Sequence, residues 1–476
     1  MTDLLLINPS CVDYSRGGIS FWNFYSLLEV MPPLGITYVA ASAINAGYSI
    51  KLLDMEAEAT NHEKLKKILK ESKPRLVGIG CTSPLFNTVV DLSRLIKSVI
   101  NVPVIVGGPH TLINHDGIMN IDTIDYCVRG EADFVIVSLL NHLLKDRNKI
   151  EGIDGVSYKK DGVIIHNKPQ EQITDLNRLP FPARQLLKHN LYYHPFIKGK
   201  SCSSIITTRG CPFSCIFCFQ MCKNPRRRSA ENVISEIKES RDKYNIRDFE
   251  FFDETFNLNR QWVIEFCDSL VKQGLKIRWR ARCRPEFFTE EVVRSMKKAG
   301  CYMISMGVES ANNSTLGWLN KKYTVEQVKK AITMITDEKI SLHGYFIIGC
   351  PVETKEQMFK TIDFACTSGF DFATFSILAP LPGTELLNIA LKEGYLENFD
   401  RNDYSNYIGV CKTLLKHPTM SKEEIQSLFE YAYKKFYFKH HGAVKLLRKI
   451  AFNTRIYSKM LERFSRTLVF IKKQTK

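Results

Sequence analysis

Two runs of alternating strand and helix patterns confine this 476-residue chain to an α/β architecture. In the first run, apolar stretches at 4–7, 50–53, 76–80, 104–106 and 126–128 read as short buried strands. Helical periodicity lies between them, at 33–46, 62–73, 87–99 and 134–144. Such alternation predicts a parallel, doubly wound, Rossmann-like sheet, whose ligands bind beyond the carboxyl ends of its strands. Those ends carry Asn8, Cys81-Thr82-Ser83, Gly107-Gly108-Pro109-His110 and Arg129-Gly130-Glu131. No G-x-G-x-x-G follows the first strand, so a nicotinamide site is not supported. The second run has strands at 204–207, 249–252, 277–281, 303–306, 344–348 and 372–378, with helices such as 231–244, 261–272 and 325–336. Six strand–helix units predict a partial (β/α)6 barrel of TIM type, with its chemistry at the carboxyl ends of the strands. Residues 150–200 read as a connector, with a hairpin at 155–168 around Asp161-Gly162 and a Pro-rich extended stretch at 179–184. From 386 to 476 the pattern is helical and basic, without a chemical motif. The expected division is therefore 1–149, 150–200, 201–385 and 386–476.

Directly after the first barrel strand comes Arg209-Gly210-Cys211-Pro212-Phe213-Ser214-Cys215-Ile216-Phe217-Cys218. Cys211, Cys215 and Cys218 have the spacing C-x3-C-x2-C. Three thiolates on one tight loop hold three irons of a four-iron, four-sulfur cluster. The loop lacks a fourth thiolate, so one iron stays open for a small molecule. The competing readings are zinc and disulfides. Zinc wants four ligands, commonly as two C-x2-C pairs, and Cys222 is available at C-x3-C. Disulfides fit poorly with 14 cysteines at scattered spacings behind an N-terminus that lacks the basic start of a signal peptide. With Thr207-Thr208-Arg209-Gly210 before it and Phe217 inside it, the loop resembles the signature of the radical S-adenosylmethionine (SAM) family. Cys222 lies outside that pattern.

The resemblance implies that SAM occupies the open iron and is cleaved to a 5′-deoxyadenosyl radical, with Phe217 beside the adenine. It extends to the later strand ends. Asp253 and Glu254, in Phe251–Asn257, match the segment that contacts the ammonium of SAM; helix capping is the other reading. Arg280 and Arg282 fall on one face by alternation and suit SAM's carboxylate, or are solvated charges. Glu309 matches the position that hydrogen-bonds the ribose or amino group. Gly349 lies in the segment against which adenine rests, and residues 379–385 form a loop facing substrate.

The first run resembles the cobalamin-binding domain of cobalamin-dependent radical SAM enzymes, on Pro32-Pro33-Leu34-Gly35, Gly107-Gly108-Pro109-His110 and Arg129-Gly130-Glu131. Asn8, Thr82, Ser83, Gly107, Gly108, His110, Gly130 and Glu131 are the implied pocket residues. The D-x-H-x-x-G motif that supplies histidine to cobalt is absent, so cobalt is expected to take no histidine from the 81–86 loop. The implied cofactors are a [4Fe–4S] cluster, SAM and cobalamin, with an external electron donor. The implied function is methylation of an unactivated carbon of a small or lipid-like substrate. Radical cyclisation, ring rearrangement or oxidation of a lipid or tetrapyrrole is the alternative, and a tRNA methylthiotransferase a remote one.

Charge adds a last expectation. Residues 441–476 carry ten Lys or Arg and one acid, Glu462, hence +9 of the chain's net +16. An apolar helical stripe (Leu446, Leu447, Ile450, Ile456, Met460, Leu461, Phe464, Leu468) runs through it. Such a segment reads as membrane-surface binding, or as a helix packed on the barrel. No uninterrupted apolar stretch reaches membrane-spanning length. A cytoplasmic enzyme, with peripheral contact at the inner membrane face and no nucleic-acid partner, is expected.

Overall fold

The computed structural model describes residues 2–10, 29–145, 149–194, 196–197, 201–396 and 413–439. They divide into two compact units, the first ending at His194.

The first unit contains β1 (Leu4–Asn8), α1 (Leu34–Asn45), β2 (Ile50–Asp54), α2 (His62–Ser72), β3 (Leu76–Gly80), α3 (Phe86–Val99), β4 (Val104–Gly107), α4 (His115–Met119), β5 (Tyr126–Val128), α5 (Ala132–Lys145), β6 (Val156–Lys160) and β7 (Val163–His166). Its sheet runs β2-β1-β3-β4-β5-β6-β7, with the first five strands parallel. Strand order reverses between β1 and β3, the switch point of a doubly wound sheet. Leu4, Leu5, Leu6 and Ile7 are all buried, as expected for a parallel strand covered on both faces. On one face Ala40, Ala41 and Ala43 of α1 meet Val135, Ile136, Leu139 and Leu140 of α5. The hairpin expected inside the connector is strands β6 and β7 of this same sheet, antiparallel to β5 with Tyr126 opposite Tyr158. The unit therefore runs past the 149/150 boundary read from sequence. The hairpin's turn was legible because Asp161 and Gly162 both have positive φ, 51° and 77°, as a two-residue type I′ turn requires. Its partner strand was not legible, because pairing with β5 is a non-local contact.

The second unit contains β8 (Cys202–Ile205), the small ladder β9 (Thr208–Arg209) and β10 (Arg226–Arg227), α6 (Ala230–Tyr244), β11 (Asp248–Phe251), α7 (Arg260–Lys272), β12 (Arg278–Cys283), α8 (Glu290–Lys298), β13 (Cys301–Glu309), α9 (Asn313–Trp318), α10 (Val325–Asp337), β14 (Ser341–Ile348), α11 (Lys355–Thr367), β15 (Phe372–Ile377), α12 (Glu385–Lys392) and α13 (Lys422–Lys434). Six parallel strands lie in sequence order, β8-β11-β12-β13-β14-β15. This is the predicted partial barrel. Its first strand ends two residues earlier than expected, because Thr208 and Arg209 leave the sheet to pair with Arg227 and Arg226.

Helix starts follow local chemistry. Thr324 with Gln327, Thr354 with Gln357 and Ser421 with Glu424 each form a reciprocal capping box. Phe251, Phe256, Phe266, Trp262 and Trp279 form an aromatic core beneath β11 and β12, with Trp262 and Phe266 stacked at 5.3 Å. Both indole N–H groups are satisfied, Trp262 donating to the Arg228 carbonyl and Trp279 to the Ala299 carbonyl, each at 2.9 Å. At the far edge of the sheet α13 and the turn after it cover β15. The Tyr433 hydroxyl accepts from the Phe375 N–H and donates to the Phe375 carbonyl, and Tyr437 does the same at Ala373. Two tyrosines thus complete hydrogen bonds that an edge strand would leave open.

The basic segment 441–476 lies outside the described residues. Among those described, no helix is long and apolar enough to cross a membrane.

Removing the central ring of the aromatic core should lower the stability of the second unit by about 3–5 kcal/mol. Phe266→Ala is therefore expected to show an earlier thermal transition for that unit while the first unit melts as before. Calorimetry of the apo-protein checks this.

Candidate functional site

The cysteine loop leaves the barrel at the carboxyl end of β8 and is pinned along its length. Gly210 has φ +98°, and a Cβ there would lie 2.8 Å from the Asn224 carbonyl oxygen and 3.1 Å from that of Cys222. Only glycine accommodates both the backbone angle and the contact. The Cys211 N–H donates to the Cys222 carbonyl (3.0 Å), and the Cys222 thiol points at the Asn224 carbonyl (3.1 Å). Cys222 thus closes the base of the loop. The Cys218 N–H donates to the Cys215 carbonyl at 3.1 Å, so the C-x2-C half is one tight turn. From later in the barrel, the Leu319 carbonyl accepts from the Ile216 N–H, Leu386 N–H donates to the Ile216 carbonyl, and Asn320 donates to the Ser214 carbonyl.

One zinc ion would gather thiolates at 2.3 Å from a common centre, hence within about 4 Å of each other. Among the described residues, the only trio of donors lying within 4.8 Å of one another is elsewhere, at His115, Asp116 and His166. Cys211, Cys215 and Cys218 do not form such a trio. Desolvation within the loop pushes the Cys218 thiol up to about 11 although its residue reaches the surface, with the neighbouring Cys215 and Cys211 adding to it, and burial raises Cys211. Without metal, Cys211 and Cys218 therefore hold their protons at neutral pH, and iron loading must release them.

Cations stand beside this loop. Arg284 Nη1 lies 3.7 Å from Cys215 Sγ, and its guanidinium stacks 3.6 Å from the Phe213 ring centroid. It is fixed by Glu286 (2.7 Å) and by the Lys321 carbonyl, and its backbone is held by Asn257. Lys321 is buried and paired with Glu309 at 2.9 Å, 5.4 Å from the Phe217 ring. Burial alone would favour the neutral amine, but the Glu309 carboxylate outweighs it and holds the ammonium above its ordinary range. Glu309 sits at φ +64°, a strained backbone for a non-glycine residue, and a Cβ on Gly307 would lie 2.5 Å from its carboxylate. Tyr323 donates to the Gly307 carbonyl at 2.6 Å and closes this group. A thiolate-ligated iron–sulfur cluster carries negative charge, so the donor set and its surrounding cations fit the group.

The other expected barrel residues divide. Asp253 is fully buried, and its Oδ1 accepts from the Thr207 N–H and hydroxyl, tying β11 to β8. Its burial raises the carboxyl's pKa. Adjacent Glu254 is exposed and acts electrostatically on Cys211 and Cys218, so it is the acid that faces the loop. Arg280 is buried in an ion pair with Glu250, and Arg282 reaches the same carboxylate at 3.4 Å while lying over the Phe252 ring. Both are thus engaged within the strand layer. Gly349, at φ +86°, faces Ile425 of α13, which a Cβ would approach to 3.0 Å. Phe217 is half-buried beside Lys321. Sequence reasoning passed over Arg284, Lys321 and Tyr323. Arg284 follows the last residue of β12, and the rule that chemistry sits at strand ends would have selected it.

In the first unit, Asn8, Thr82, Ser83, Gly107, Gly108, Gly130 and Glu131 all lie at or just beyond the carboxyl ends of the strands. Cβ atoms at Gly80 and Gly107 would meet nothing closer than 3.9 Å, so these strand ends are uncrowded. Gly108 serves the fold instead: a Cβ there would lie 2.7 Å from the Cys81 carbonyl oxygen. Asn8 donates to Asp54 (3.0 Å), and Glu131 accepts from the Ile173 N–H (2.9 Å). His110 is fully buried, its Nδ1 3.0 Å from the Ser83 hydroxyl and its ring 4.8 Å from that of Phe86. It braces two loops.

A cluster loop at the mouth of a partial barrel, in one chain with a doubly wound ligand-binding sheet, defines an iron–sulfur enzyme with a second cofactor domain. Residues 205–365 match the radical SAM superfamily model, and residues 25–140 match the B12-binding domain model. An uncharacterized methyltransferase of Pyrococcus horikoshii is 34% identical over 443 residues, covering 90% of this chain and 94% of that protein. Anaerobic magnesium-protoporphyrin IX monomethyl ester cyclase of Cereibacter sphaeroides is 27% identical, covering 86% of this chain and 67% of that protein. The cobalamin-dependent SAM radical enzyme OxsB, solved with aqua-cobalamin and SAM bound, superposes with a TM-score of 0.73 at 17% identity, over 99% of this chain and 72% of that one. The chain belongs to the radical SAM superfamily, in the branch that carries a B12-binding domain. It is an enzyme whose cofactors are a [4Fe–4S] cluster, SAM and cobalamin.

Gly210→Ala should open the base of the loop and reduce iron retained after anaerobic reconstitution several-fold, without unfolding the barrel. Iron and sulfide analysis with circular dichroism checks this. A pH effect is expected in the first unit. Burial holds His110 at about 4, below the ordinary 6.5. Between these values the unfolded chain binds a proton that the folded chain does not, so stability falls as pH drops from 6.5 towards 4 and is unaffected above 6.5. His110→Gln should show a smaller loss of thermal midpoint between pH 6.5 and 5 than the parent.

Proposed function

We propose that this enzyme methylates an unactivated carbon of a small or lipid-like molecule, using the first unit to hold cobalamin and the second to hold the cluster and SAM. The observation that carries the reading is the three-cysteine loop, flanked by Arg284 and Lys321, in the same chain as a B12-binding domain. The cofactors supply the hard chemistry: a radical that removes hydrogen from carbon, and a methyl group to replace it. The protein's share is placement and charge. Cys211, Cys215 and Cys218 hold the cluster. Arg284 offsets thiolate charge at Cys215, and the Lys321–Glu309 pair sets the potential beside Phe217. Glu254 is available to SAM's ammonium, and Glu309 to a ribose hydroxyl. Asp253, Arg280 and Arg282 support these positions from within the barrel wall. In the first unit the strand ends from Asn8 to Glu131 would receive the macrocycle, with no histidine in the 81–86 loop to reach cobalt. Electrons come from an external donor. The basic tail, with +9 within 441–476, brings the enzyme to an anionic lipid surface.

A second reading, radical cyclisation or oxidation without methyl transfer, is favoured by the cyclase of Cereibacter sphaeroides among the relatives. The two differ in their co-products. With a low-potential reductant and substrate, methylation consumes SAM along two routes and yields both 5′-deoxyadenosine and S-adenosylhomocysteine, with a product heavier by one CH2 unit. 5′-Deoxyadenosine with no S-adenosylhomocysteine would support the second reading. Replacing Cys211, Cys215 and Cys218 by Ala should abolish 5′-deoxyadenosine. Its persistence in that variant would overturn both.

A further inference from the structure

His115 and Asp116 open α4, and His166 closes β7, so the first unit brings together three metal-binding side chains from two separate elements. His166 Nε2 lies 2.9 Å from Asp116 Oδ1, and His115 Nε2 lies 3.9 Å from the same oxygen. One ligand atom from each lies within 4.8 Å of both others. The imidazole planes stand at 83°, with centroids 5.0 Å apart, so the rings meet edge to face and are not stacked. A tetrahedral zinc-class ion with bonds of about 2.0–2.2 Å spaces its donors roughly 3.3–3.5 Å apart. The separations of 2.9 and 3.9 Å to Asp116 bracket that value, and the two histidine nitrogens lie within 4.8 Å of each other.

The support behind His166 is built for ligation. Its Nδ1 lies 2.8 Å from the hydroxyl of Ser157, which is fully buried on β6 directly opposite it in the antiparallel ladder. When Nδ1–H donates to that hydroxyl, Nε2 presents a lone pair towards Asp116. Fixing the far nitrogen of a histidine in this way sets its tautomer and aims the near one at a metal. In the other tautomer Nε2–H donates to Asp116 and Nδ1 accepts from Ser157, and the 2.9 Å pair is an ordinary hydrogen bond. A proton on Nε2 would serve that pair alone. A metal ion accounts for the third donor, His115, as well. His115 and His166 are about one-third exposed and Asp116 is 71% exposed, so an ion has a path in and water can complete its coordination.

We propose that His115, Asp116 and His166 form a site for one divalent ion of the zinc class, which fastens α4 to the β6–β7 hairpin. This site contains no cysteine and is separate from the cluster loop. Its place in the fold suggests its use. The segment between β4 and α4 carries Gly107-Gly108-Pro109-His110, and the hairpin is the antiparallel edge of the sheet. An ion here closes that segment against the edge at one end, while the His110–Ser83 contact braces it at the other.

The test uses cluster- and cobalamin-loaded protein, so that the loop cysteines are already occupied, with zinc as the probe. After zinc addition and desalting, about one zinc per chain should remain. X-ray absorption at the zinc edge, which is blind to iron and cobalt, should show nitrogen and oxygen ligands only. His166→Ala and Asp116→Ala should each lose the zinc while retaining iron and cobalamin. Ser157→Ala changes no ligand and should weaken zinc binding by about 10–100-fold, as loss of an orienting partner does. It keeps the test open if a ligand variant fails to fold. Absence of retained zinc, sulfur in its coordination shell, or undiminished zinc in a His115→Ala/His166→Ala double variant would overturn the proposal.

Discussion

The barrel's chemistry depends on the anchoring of the loop 210–218. Backbone hydrogen bonds join Ile216 to Leu319 and Leu386, residues that come after the fourth and sixth barrel strands. The loop after the first strand is thereby tied to loops far along the chain, and the cysteines take up fixed positions only when the whole barrel has formed. The anchoring engages main-chain groups of the loop, so the thiols of Cys211, Cys215 and Cys218 take no part in it. Gly210 and Cys222 complete the arrangement at its base.

Charge is organised around the same loop. Arg284 and Lys321 face it, and each is itself held by a carboxylate, Glu286 and Glu309 respectively. Removing one partner of a buried pair leaves an uncompensated charge, so these cations are fixed in place as well as present. The backbone of Glu309 is strained, and a side chain on Gly307 would displace the Glu309 carboxylate, both features of a site where position takes precedence over local comfort. In the first unit the logic is different. Small residues at strand ends leave room, and His110 is kept neutral and structural.

Much of this was legible in the sequence, because it rests on local chemistry. The cysteine spacing, the Asp161-Gly162 turn and the strand–helix alternation each depend on neighbours in the chain. What escaped was non-local. Alternation put Arg280 and Arg282 on one face, and both do reach Glu250. The residue that touches a cluster cysteine is Arg284, one position past the strand. Asp253 and Glu254 are chemically alike, and only the fold decides that the first is buried against Thr207 while the second is exposed beside the cysteines. Lys321 and Tyr323 belong to no motif, and the turn after α9 delivers them to the site.

The central claim is that the loop holds a cluster with one iron open to SAM. Electron paramagnetic resonance of the reduced, reconstituted protein tests it most directly. A single four-iron signal is expected, and SAM should change its g-values by binding at the open iron. A signal that SAM leaves unchanged, or a cluster that survives loss of Cys211, Cys215 and Cys218, would contradict the account.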